Sequence, residues 1–197
     1  MRSGLSGLGV NLPVLAAPMA GGPTTPDLVV AASEAGSLGF VAGGYRSADA
    51  LAEQVRAVRG RTGRFGVNLF VPNPVPVDPA AYARYRDRIR PDAERLGATV
   101  PEEPFEDDDH WRDKVDLLVA DPVPVVSFTF GIPDRVSLDA LRATGTFLVQ
   151  TVTSVEEAGG HGLLWIRSQL GKRARSWSRV TPASEGTTLC AMPSLSG

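Results

Sequence analysis

Pro13-Val14-Leu15-Ala16-Ala17-Pro18-Met19-Ala20-Gly21-Gly22-Pro23 decides how this chain begins to fold: an apolar run closes abruptly in small residues, glycines and prolines. A short continuous apolar run bounded by turn formers predicts a strand buried on both faces, as in parallel sheets. Ala20, Gly21 and Gly22 leave bare backbone at its carboxyl end, which a flat ligand can approach closely. Thr24 or Thr25 then supplies a helix N-cap, and Pro26 a first helical residue. The opening unit is therefore strand, ligand-facing loop, helix.

Working outward, the same unit recurs. Asp27 to Ala35 carries Leu28, Val29, Ala31, Ala32 and Ala35 at helical spacing and stops at Gly36. Leu38-Gly39-Phe40-Val41-Ala42-Gly43-Gly44 reads as a second buried strand ending in glycines. Ser47 caps a helix with Leu51, Val55 and Val58 on one face and Glu53, Arg56 and Arg59 toward water. Phe65-Gly66-Val67-Asn68-Leu69-Phe70-Val71 is a third strand, ended by Pro72, Pro74 and Pro76. Further on, Pro124 to Gly131 is a fourth strand, Asp134 to Thr144 its helix, and Thr146 to Thr153 a fifth strand rich in β-branched residues. Ser154 with Glu157 makes a capping box for a following helix. Strands alternating with helices predict an α/β protein of parallel βα units.

Two places interrupt the pattern. Asn68 is the polar residue of an apolar strand; it is either a core amide bonded to neighbouring backbone or a group aimed into a ligand site at the strand's carboxyl end. From Asp78 to Lys114 the βα rhythm fails: Tyr82, Tyr85, Ile89 and Leu96 suit one or two helices, and Glu102 to Asp109 reads as a solvated acidic patch. His110 and Lys114 share a helical spacing there, and such a histidine is expected to be solvated.

Composition narrows the class. Of 197 residues, 43% are hydrophobic and 21% charged, as in an average globular protein, which argues against wholesale disorder. A net charge of -2 gives no reason to expect nucleic acid or an anionic membrane as partner. The one cysteine, Cys190, forms no intrachain disulfide, no Cys/His cluster has metal-ligand spacing, and no apolar run is long enough to span a membrane. Gly4, Gly7, Gly9, Asn11 and Pro13 interrupt the segment that would otherwise imitate a signal peptide, so a cytoplasmic location is expected.

Four motifs in order, Ala17-Pro18-Met19-Ala20-Gly21-Gly22, Gly66-Val67-Asn68-Leu69-Phe70, Val125-Val126-Ser127-Phe128-Thr129-Phe130-Gly131 and Gln150-Thr151-Val152-Thr153-Ser154, resemble the nitronate monooxygenase family, formerly called 2-nitropropane dioxygenases. The resemblance covers residues 10 to 158. It implies a TIM (β/α)8 barrel that binds FMN and oxidises nitronates, the anions of nitroalkanes, with O2. It implies that Pro18, Met19 and Ala20 pack on the flavin ring and that Asn68 hydrogen-bonds the cofactor. The strand end at Thr129 would face the substrate; some relatives carry histidine at that position. A histidine within Gly-His-x-Gly is the family's base, and the loops of the last strands hold the FMN phosphate.

A barrel of this kind takes about 250 residues, whereas the sequence shows about five βα units before the pattern fails. Residues 1 to 158 are thus expected to form the N-terminal part of an FMN-binding barrel, and 159 to 197 an aberrant tail. Charge changes at the same point: 15 Lys+Arg against 21 Asp+Glu through residue 158, then 5 against 1. A reading-frame shift would explain this: one permitted back-translation of Trp165 to Gly186, read from the third base of each codon, yields Val-Asp-Ser-Leu-Ala-Ala-Gly-Gln-Ala-Gly-Ala-Glu-Leu-Glu-Pro-Gly-His-Thr-Gly-Val-Arg-Gly. That string resembles the family's next strand and its Gln-Gly, Glu and Gly-His-x-Gly signature. Gly159-Gly160-His161-Gly162 also looks like the catalytic motif, making His161 either the base or a coincidence in the tail.

The expected function is FMN-dependent nitronate oxidation, impaired by truncation. Two alternatives stand beside it. One is another flavin barrel, such as an enoyl reductase, which would need a reduced nicotinamide. The other is a non-catalytic fragment whose open edges make it poorly soluble, weak in FMN binding and prone to self-association.

Overall fold

The computed structural model describes residues 10–12, 14–73, 75–152 and 164–167. Its strands are β1 (Leu15–Ala16), β2 (Leu38–Ala42), β3 (Phe65–Phe70), β4 (Val125–Thr129), β5 (Phe147–Val152) and β6 (Leu164–Arg167). They form one sheet in sequence order, and every neighbouring pair is parallel. The helices are α1 (Pro26–Glu34), α2 (Ala48–Arg59), α3 (Pro79–Arg95), α4 (Trp111–Ala120) and α5 (Arg135–Ala143). Sequential parallel order with intervening helices is the winding of a (β/α)8 barrel, present here as an open part of one. β6 lies within a stretch where no strand period is legible. It pairs Leu164 with Val149 and Arg167 with Val152, so the edge of β5 is occupied by a strand of four residues.

Alternation along the strands sorts the two faces. Val41, Phe65, Val67, Leu69, Val126, Phe128 and Leu148 pack with helix residues Val29, Val30, Leu51, Val55, Val58, Val115, Leu118, Leu138 and Leu141. The other face holds a smaller cluster of Leu38, Phe40, Val125 and Val149, with Leu15 and Phe147 against it. Each fully buried aliphatic or aromatic side chain contributes about 1.5–3 kcal/mol, so the larger cluster between sheet and helices carries most of the stability.

Side-chain caps fix where the helices start. Thr25 accepts from the Leu28 amide ahead of Pro26, Ser47 from Ala50 and Asp134 from Ser137. The backbone amide of Ser137, with smaller help from its hydroxyl and from Arg112, holds the Asp134 carboxyl below the usual aspartate value. α2 buries the expected Leu51, Val55 and Val58. α1 does not: it buries Val29, Val30 and Ser33, while Leu28, Ala31 and Ala35 are exposed. The helix is rolled toward Ser33, whose hydroxyl meets that of Thr62 at 2.7 Å, and Val29 sits against Gly39, where a Cβ would lie 2.7 Å from the Val29 Cα. β1 is also shorter and less buried than expected. Only Leu15 and Ala16 pair, both are half-buried, and Val14 is exposed, because β2 is the one neighbour of this edge strand among the described residues.

Pro72–Asp108 forms a compact unit of its own. Its helix α3 has no buried residue and contains Pro91. Arg86 binds the carboxylate and carbonyl of Glu102, at 2.7 and 2.8 Å, and the Tyr82 hydroxyl donates to Pro101 O. The segment is thus a solvated excursion, as its composition predicts. Its far boundary corrects the sequence reading of Lys114 and Asp109. Lys114 is buried rather than on an exposed helical face, and its Nζ lies 2.7 Å from Asp109 Oδ2. A buried ammonium requires such a counter-charge. Asp109 is accordingly drawn out of the acidic patch, with its side chain 14% exposed. His110 is exposed, at the N-cap of α4.

Candidate functional site

In parallel α/β folds the chemistry sits beyond the carboxyl ends of the strands. After β1 the chain turns through Gly21 and Gly22 at φ 82° and 120°, and a Cβ on either would meet nothing within 4 Å. The turn is braced from below: the Met19 amide donates to the buried Thr24 Oγ1 at 2.8 Å. Met19 itself is 45% exposed. Pro18 and Ala20 on either side of it are half-buried.

Asn68 projects on the inner face of β3, opposite Ser127 of β4 in the register. It is 3% exposed, and its Nδ2 donates to Ser127 Oγ and Thr129 Oγ1, each at 3.0 Å, and to Ser127 O at 3.3 Å. The amide is buried and tied to its neighbours on β4, in the carboxyl-terminal half of β3. Ser127, not singled out in the sequence, belongs to the same cluster. Its position two residues before Thr129 on one strand face was the available signal.

Gln150 lies outside that cluster. Its neighbours Leu148 and Val149 fall in the outer and inner clusters respectively, so alternation puts Gln150 on the helix side. Its Nε2 donates to Gly131 O and Thr151 O, each at 2.9 Å, bracing the loop after β4. Its Oε1 is buried without a hydrogen-bond partner among the described residues. His161, Thr153, Ser154 and Glu157 lie outside the described residues. Among the described residues no group of three or more His, Cys, Asp or Glu is placed to hold a metal ion, and no helix is long and apolar enough to cross a membrane.

A second group at the same end was not anticipated. Tyr45 after β2, Phe70 at the end of β3 and Phe130 after β4 stack edge to face, with ring centroids 5.4 Å apart for Tyr45–Phe70 and 4.7 Å for Phe70–Phe130. Tyr45 N–H donates to Asp109 Oδ1 at 2.8 Å, so the buried Asp109–Lys114 pair anchors the β2 loop. No sequence period joins these residues, because they meet only through the parallel register.

The fold is that of a barrel-type α/β protein, and the turn beyond β1, the polar cluster on β3 and β4 and the three aromatic rings gather toward the carboxyl ends of its strands. Comparison with known proteins is specific. The nitronate monooxygenase profile matches residues 3–166. A probable nitronate monooxygenase from Staphylococcus saprophyticus is 36% identical over 152 residues, covering 77% of this chain and 42% of that protein; one from Staphylococcus aureus is 33% identical over the same length. Among solved structures, nitroalkane oxidase from Streptomyces ansochromogenes is similar at 42% identity and TM-score 0.70, covering 78% of this chain and 44% of that one. FabK from Thermotoga maritima is similar at 26% identity and TM-score 0.54, covering 84% of this chain and 44% of that one. The chain belongs to the nitronate monooxygenase family. Its match spans less than half the length of these relatives.

Proposed function

We propose that this chain supplies the ring-facing and substrate-facing wall of an FMN site that oxidises small nitronates with O2. The single observation that carries the reading is the Asn68–Ser127–Thr129 cluster toward the carboxyl ends of adjacent strands, in a chain of which 78% matches a nitroalkane oxidase at 42% identity. The Pro18–Ala20 segment, half-buried apart from the exposed Met19, would pack on the flat ring, and the glycines after it leave room above the backbone. FMN, when bound, supplies the redox chemistry. Asn68 orients its neighbours: its Nδ2 hydrogens are taken by Ser127 and Thr129, which leaves Oδ1 to accept from a ring N–H. Thr129 Oγ1 accepts from Asn68, so its own hydrogen is available to a nitronate oxygen, where a fixed donor stabilises negative charge.

The base is proposed to be His161, the residue of Gly160-His161-Gly162 that the family resemblance offers for that role. A base is required for a neutral nitroalkane but not for a nitronate ionised beforehand. His161→Ala should therefore abolish oxygen uptake with nitroethane and spare it with ethyl nitronate; equal loss on both would remove His161 from that role. Uptake without NAD(P)H separates this reading from a nicotinamide-dependent flavin barrel. The lone cysteine favours a reducing, cytoplasmic setting. The edge strand β1, with Val14 exposed beside it, favours self-association, which sedimentation would register as a concentration-dependent mass.

A further inference from the structure

We infer that Tyr45, Phe70 and Phe130 form the wall that receives the carbon skeleton of the substrate, and that they select long or flat apolar nitronates over the shortest ones. The inference deepens the function proposed above and rests on it. Two features single out Tyr45 and Phe130. Tyr45 and Phe130 are 76% and 74% exposed, although large aromatic side chains ordinarily bury most of their surface. Both have left-handed backbone, with φ 61° and 75°, a conformation that is an outlier for bulky residues and tends to persist at functional sites. The strained backbone leaves most of each ring exposed while its edge meets Phe70.

The arrangement is nevertheless built. Asp109 accepts from the Tyr45 amide, and Lys114, buried behind it, fixes Asp109. Phe70 lies close over Gly44, where a Cβ would stand 2.3 Å from its Cε2, so glycine there lets the ring sit flat against the β2 loop. The wall is continuous with the polar cluster. Phe70 pairs with Thr129 in the register, the Val71 amide donates to Thr129 O at 2.9 Å, and Phe130 follows Thr129 in the chain. A ligand whose nitro or nitronate end meets Thr129 would run its carbon chain along these rings. Rings without a charged partner between them favour an apolar skeleton through burial of its surface.

The test is ligand-observed saturation-transfer NMR with nitroethane and 1-nitrohexane, on the flavin-free chain and on the chain with excess FMN. The variants are Tyr45→Gly and Phe130→Gly. Glycine takes a positive φ without strain, so both variants should unfold at or above the urea midpoint of the native chain. The native chain should bind 1-nitrohexane about tenfold more tightly than nitroethane, and each variant should lose most of that ratio. Equal binding of the two probes by the native chain, or an unchanged ratio in both variants, overturns the inference. Failure of the nitronate reading itself would show separately, as no oxygen uptake with ethyl nitronate, and the binding ratio would still decide the role of the wall.

Discussion

The two faces of β3 carry opposite assignments. Toward the helices it presents Phe65, Val67 and Leu69, each at most 1% exposed. Inward it presents Gly66, Asn68 and Phe70, which change from no side chain, to a buried amide, to a half-exposed ring as the strand nears its carboxyl end. β4 repeats the contrast, with Val126 and Phe128 outward and Ser127 and Thr129 inward. One face of each strand is specified by volume and the other by chemistry. Substitutions should therefore separate stability from ligand binding within single strands.

The largest effect is expected on the outer face. Leu69→Ala should lower the unfolding free energy by about 2–5 kcal/mol in urea titrations, because a fully buried side chain leaves a cavity. Gly39→Ala comes next, with a loss of about 1–3 kcal/mol, since the added Cβ meets the Val29 backbone, which can yield only by moving α1. On the inner face, Asn68→Ala should cost about 1–2 kcal/mol yet remove flavin binding. An Asn68→Ala chain that retains flavin would break the contrast between the faces.

The smallest effect lies away from both faces. Asp134→Ala removes the N-cap of α5 and should cost about 1 kcal/mol near neutral pH. Because the amide of Ser137 lowers the carboxyl's pKa in the folded chain, the contribution is fully present above the ordinary aspartate value. It is lost as the pH falls through the lower folded value. The difference in urea midpoint between native chain and variant should shrink on acidification below the ordinary aspartate range, and a difference that grows there would contradict the cap.

The outer face was the more legible of the two. Buried strands announce themselves as continuous apolar runs, and α2 and α5 by their caps and spacing, so the parallel order followed directly. The face of α1 was misread because Leu28, Ala31 and Ala35 mimic an apolar stripe, while the helix is seated by the Ser33–Thr62 hydroxyl pair and the close approach to Gly39. Asn68 was visible as a polar residue in an apolar strand. The Tyr45–Phe70–Phe130 group and the Asp109–Lys114 pair were not. Tyr45 and Asp109 are 64 residues apart, and nothing local marks residues that meet only across the sheet.

The central claim is that Asn68 and the Pro18–Ala20 segment meet a flavin ring. FMN titrated into the purified chain, followed by quenching of its fluorescence and compared with Asn68→Ala, tests it most directly. The native chain should bind FMN weakly but saturably, and Asn68→Ala should abolish that binding while remaining folded. No saturable binding by the folded native chain, or equal binding by both, would contradict it.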